Sequence, residues 1–408
     1  MSTHPVSKDL VEQIVDSAEA RRESIVELCR DLVAARSVNP DGDTRAVAAV
    51  VATALTGLGL APRLERQAET MPSVLAELDS GRPGRHLVLN VHLDTMPPGE
   101  ESAWSVPVWE LSRRNGRLYG LGMGNMKGAV AAMVNAAALL NELRDSWSGK
   151  ITFTAVSDEV VFGENGAAYL LREHPHLYGD GLICGEGPGY RRLAIGEKGV
   201  LWLELTAKGD AGHSSSVKHG RSATARLATA VTRIDALNGI RVQRPAELDG
   251  LLPADDNPGF ELTASVGIVE AGTFVGQVAV DGRAEIDLRL PPGIDADSGE
   301  KMVVDIADTI EGVSVRRIKG WDPNWTSPED LLTRSWAAAS ELAGAGKPDY
   351  AIRLPASDAS RWRQKGIPAL CYGPQPTLSA GVDDYADEDE VVRCVSLYAL
   401  AALTFLNS

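Results

Sequence analysis

Three apolar runs that each close on charged side chains set the tightest limit on how this chain can fold. HLVLNVHLDT (86–95) ends in His92-Leu93-Asp94, KITFTAVS (150–157) is followed by Asp158 and Glu159, and GDGLICGEG (179–187) reaches Glu186. Alternation along a strand puts His92 and Asp94 on one face, an imidazole with a carboxylate behind it. A metal-ligand histidine wants such a partner, because the acceptor fixes its tautomer and raises its basicity. The carboxyl ends of strands are where open α/β sheets assemble their sites. The pattern therefore predicts an α/β fold whose strand ends deliver His92, Asp94, Glu159 and Glu186.

Around these strands the periodicity changes. Residues 8–35 carry apolar positions at helical spacing, and Ala46–Leu60 reads as a buried amphipathic helix. GLGMGNMKG (120–128), with four glycines in nine residues, precedes a nearly all-apolar helical run, and the chain ends on another, VVRCVSLYALAALTFL. From 197 to about 315 the order strand, helix, strand, strand, helix forms an α+β sandwich in its own right. The expected domains are 1–196 with 316–408, and an insertion at 197–315. At 408 residues the chain exceeds the ~250–300 at which a single core stops growing.

A net charge of −16 argues against nucleic acid and against an anionic membrane surface. No run is apolar enough to span a bilayer. Cys29, Cys184, Cys371 and Cys394 are widely spaced with no Cys-x-x-Cys, as in a reduced, cytoplasmic protein. Cys184 is the one thiol near a site residue.

The order of these pieces resembles the family of co-catalytic zinc hydrolases that contains acetylornithine deacetylase, succinyl-diaminopimelate desuccinylase, aminoacylase and bacterial glutamate carboxypeptidase. The resemblance continues through GEKG (196–199), GHSS (212–215), IDLR (286–289), SDA (357–359), YGP (372–374) and the acidic stretch before Val391. It implies a mixed-sheet catalytic domain with an inserted lid and dimerisation domain, a small-molecule substrate and a homodimer formed through the lid. It also implies roles. His92 and Glu186 fall on ligands of the first metal, Asp94 behind the histidine, and Glu159 on the general base. His213 falls on the lid histidine that stabilises the oxyanion, and Arg289 on the arginine that clamps the substrate carboxylate.

The departures are as informative. Asn125 stands where the family has the aspartate that bridges two metals, Val160 where it has a second-metal carboxylate, and Ala386 where it has a second-metal histidine. Gly276 and Ala279 replace a substrate-contacting asparagine and a proline, and Gln375 replaces the glycine of Tyr-Gly-Pro-Gly. Valine and alanine donate nothing to a metal, so the expectation is at most one divalent ion, zinc or a similar metal, or none. An acid from Asp383, Asp384, Asp387 or Glu388 could fill the missing position, or those residues form a solvated loop. Three functions follow. One is hydrolysis of an amide or related C–N bond with Glu159 as base and Asn125 in the substrate cleft. Another is metal-independent acid/base chemistry such as isomerisation, elimination, acyl transfer or condensation. The third is non-catalytic binding of a small molecule.

Overall fold

In a computed structural model of the chain, residues 6–189, 192–248, 258–375 and 381–408 are described. They form two compact units, one of Met1–Gly196, Trp325–Ala351 and Ser357–Ser408, the other of Glu197–Asn324 and Ile352–Ala356. The insertion thus runs to Asn324 rather than 315. Val313–Trp321, which crosses the expected boundary, pairs antiparallel with Gly199–Lys208 from Val313↔Ala207 to Trp321↔Val200.

The first unit is built on a mixed sheet. The part that carries the site has the order Arg63–Glu65, Ser73–Asp79, Lys150–Val156, His86–His92, Gly181–Cys184, Ala369–Cys371. The strand His86–His92 is parallel to both neighbours, with His92 opposite Val156 and Asn90 opposite Cys184. That register brings three strand ends level, so the residues following each emerge at one edge. These strands are buried along nearly their whole length, as expected where both faces of a sheet are covered. Gly128–Glu142 is buried almost all round and packs against Glu388–Leu406. The single N-terminal helix expected over 8–35 is two, Lys8–Ala20 and Arg22–Ala34, which meet at Arg21.

In the second unit four antiparallel strands follow the order Thr263–Ala271, Asp281–Leu290, Gly199–Lys208, Val313–Trp321. Helices Ala223–Asp235 and Ala296–Ala307, capped by the Ser222 and Asp295 side chains, bury Leu227, Ala230 and Val303 in a core with Leu203, Leu205 and Ile286. Among the described residues no helix is long and apolar enough to cross a membrane.

Candidate active site

His92 ends its strand almost wholly buried, and both of its ring nitrogens face polar groups. Nδ1 lies 2.9 Å from the Asp94 carbonyl oxygen and 3.6 Å from Asp94 Oδ1. Nε2 lies 3.1 Å from Asn125 Oδ1, 3.7 Å from Glu159 Oε2 and 4.0 Å from Glu186 Oε1. Ligand atoms of His92, Glu159 and Glu186 fall within 4.8 Å of one another. One imidazole nitrogen and two carboxylates at this spacing are a donor set for a single divalent ion.

Asp94 does not turn into that set. Its carboxylate accepts from Asn39 Nδ2 at 2.9 Å, from the Glu159 amide at 3.2 Å and from the Val160 amide at 3.0 Å. Burial alone would raise its pKa, but the hydrogen bond and charge of His92, with the Asn39 and Val160 donors, hold it below the ordinary range. It orients His92 and the Glu159 loop together. Asp158 is likewise turned away from Glu159, held by Asn39 Nδ2 and by Asn165 N and Nδ2.

The pressure on Glu159 comes from elsewhere. Burial first, then the Glu186 carboxylate, push its pKa well above the usual range; His92 opposes them, and Asp358 and Asp94 add to them. Burial works against a proton on His92, but the charges of Glu159, Asp94 and Glu186 outweigh it and raise that pKa well above 6.5. Asp358 is pushed up to about 6, by burial against the pull of Arg361 and His92. Among the described residues, Glu159 Oε1 and Asp358 Oδ2 are buried with no hydrogen-bond partner.

Asn125 is presented by the glycine loop. Gly122 has φ +83°, and a Cβ there would sit 2.5 Å from Thr95 Cγ2, so the loop is a tightly packed support rather than a flexible turn. The Gly122 and Gly124 amides donate to the Asp384 carboxylate at 2.9 and 3.1 Å. The C-terminal acids are thus neither a solvated loop nor substitute ligands. Asp383 accepts from Ser105, Asp387 from Arg117, and Glu388 from Arg22 and Arg113. At the second-metal positions, Val160 offers only its backbone amide to Asp94, and Ala386 is buried opposite Leu118 in a small sheet. A second ion does not fit these residues.

His213 and Arg289 belong to the second unit. His213 is exposed on a short turn, its Nδ1 2.8 Å from Ser215 Oγ. Arg289 donates from Nε and Nη2 to Asp287 Oδ2 at 3.1 and 2.8 Å. Cys184 lies beside Cys371 on the neighbouring parallel strand, outside the His92 group. Sequence reasoning missed Asp358, which precedes the helix Ala359–Arg363 but makes no cap bond with its side chain. It also missed Asn39, for which no local pattern offered a signal.

Residues 88–404 match the peptidase family M20/M25/M40. A succinyl-diaminopimelate desuccinylase of Xanthomonas euvesicatoria pv. vesicatoria is 30% identical over 393 residues, which span 93% of this chain and 96% of that protein. Human carnosine dipeptidase 1 shares the fold with a TM-score of 0.76 at 16% identity, over 97% of this chain and 98% of that one. So does a dinuclear metal-binding M20 peptidase of Bacillus subtilis, with a TM-score of 0.69 at 14% identity, over 95% and 99%. The chain belongs to the peptidase family M20/M25/M40. It is an enzyme of that hydrolase family, with a mixed α/β fold and a His/Glu/Glu group able to hold a metal.

Proposed function

We propose that this enzyme cleaves an amide or related C–N bond of a small carboxylate-bearing molecule at a centre that takes one divalent ion instead of two. The observation that carries the proposal is the buried His92–Glu159–Glu186 group, in which Glu159 Oε1 has no hydrogen-bond partner. His92, Glu186 and Glu159 would hold the ion, with the neutral Asn125 oxygen beside it. When bound, such an ion lowers the pKa of its water toward ~7 and polarises a carbonyl. Glu159, whose Oε1 has no hydrogen-bond partner, would take a proton from the attacking water and return it to the leaving amine. Asp94 keeps the imidazole in place. The motif resemblance alone assigns oxyanion stabilisation to His213 and the substrate carboxylate to Arg289.

A homodimer formed through the second unit belongs to the same proposal. Its edge strand exposes Ile268 and Val269, and the following turn exposes Phe274 and Val275. Light scattering should give twice the chain mass. The four free, buried cysteines are consistent with a reducing, cytoplasmic setting.

A second reading has one specific support. A protonated His92 among three carboxylates would itself supply the positive charge, leaving Glu159 to work without metal. A panel of N-acyl and N-succinyl amino acids, assayed before and after chelation and metal add-back, separates the two readings. The one-ion reading expects hydrolysis that chelation removes, zinc or cobalt restores, and Glu186→Ala abolishes. Turnover that survives chelation but not Glu159→Gln would replace it with the second reading.

A further inference from the structure

Two departures from the family pattern, asparagine at 125 and glutamine at 375, touch each other. The turn after Ala369–Cys371 lies against the end of Gly181–Cys184: the Tyr372 amide donates to the Cys184 carbonyl at 3.0 Å. A Cβ on Gly373 would stand 2.0 Å from the Gly185 carbonyl oxygen, so only glycine allows the approach. This closeness puts the Gln375 side chain over Gly187, whose backbone amide donates to Gln375 Oε1. A backbone N–H can only donate, so it fixes which end of the Gln375 amide is oxygen. Nε2 must then face the other way, 3.3 Å from Asn125 Oδ1. Asn125 is oriented in turn, and the same Oδ1 lies 3.1 Å from His92 Nε2.

We propose that Gln375 is a positioning residue which, through Asn125, keeps an oxygen rather than an amino group turned toward His92, Glu159 and Glu186. An oxygen is what that place requires, whether it faces a ring N–H or an ion. A reversed amide would aim N–H donors at either. Asn125 stands in place of a carboxylate, which presents oxygen both ways up and needs no such clasp. The inference concerns the site proposed above, but it rests on hydrogen-bond direction and not on turnover.

The test is a mutant cycle on the full chain read by zinc titration calorimetry. Q375M should weaken zinc about 10–100-fold, the usual effect of losing a group that orients a ligand. In the N125D background the same change should cost no more than about 2-fold. Equal losses in both backgrounds, or none in either, would overturn the proposal. Should the protein bind no zinc, the one-ion reading fails, and the clasp is read from solvent exchange of the Gln375 side-chain amide protons in the metal-free protein. Held by Asn125 Oδ1, those protons should exchange slowly, and N125A should release them. Fast exchange in the unmutated chain, or no change in N125A, would overturn the inference.

Discussion

The acids around His92 and the acids of the C-terminal segment are equally conspicuous in the sequence and are used in opposite ways. Asp383, Asp384, Asp387 and Glu388 each accept from a named donor: a serine, two backbone amides, or arginines. Beside His92, Glu159 Oε1 and Asp358 Oδ2 are buried without one. Burial raises the pKa of Asp384 to about 7 even with its two amide donors, whereas a buried carboxyl oxygen with no donor also destabilises the fold, and active sites are where such arrangements gather. The difference teaches that missing donors together with a place beside His92, and not the density of acids, mark the candidate acid.

Three substitutions probe this contrast, from the largest effect to the smallest. Glu159→Gln should lower turnover by at least about 100-fold, the contribution of a positioned proton-transfer group. It should not lower the denaturation midpoint at pH 7. A carboxyl whose folded pKa is raised costs stability as pH rises above its unfolded value, and the amide removes that cost. Loss of fold together with activity would place Glu159 in the same class as the C-terminal acids.

Asp384→Ala removes the acceptor of two buried amides and should cost about 2 kcal/mol in urea unfolding. Metal content should change less than stability does, because the glycine loop retains its packing against Thr95. Metal loss without destabilisation would make Asp384 part of the site.

Glu388→Gln should cost no more than about 1 kcal/mol, since the arginines that hold Glu388 are partly exposed and screened. The hydrogen bond from Arg113 is the main cause of its lowered pKa, burial opposes it, and Arg22 adds to the lowering. Its contribution is therefore present above the unfolded carboxyl pKa and is lost as pH falls through the lower folded value. Unfolding curves of the chain and of E388Q should differ at pH 7 and converge in acid. A difference that persists in acid would point to packing.

The legible parts of the molecule were those whose cause is local. The strand runs 86–92, 150–156 and 181–184 announced themselves because a strand buried on both faces is mostly apolar, and the charged residues that close each run lie at the site. Val313–Trp321 was missed because VSVRRIKGW carries few apolar residues and lies at the edge of its sheet, where one side goes unpaired. Asp358 gives no local signal as a site residue, because serine and aspartate before a helix are ordinarily caps. The contacts of Asp384 with Gly122 and of Gln375 with Asn125 join residues 262 and 250 positions apart, which no local pattern can report.

Whether the centre takes a single ion is tested most directly by elemental analysis of the protein after incubation with zinc, cobalt or manganese, alongside E186A. Close to one ion per chain, absent from E186A, is expected from a site with His92, Glu159 and Glu186 as donors and only Val160 and Ala386 beyond them. Two ions per chain, or one that E186A retains, would contradict it.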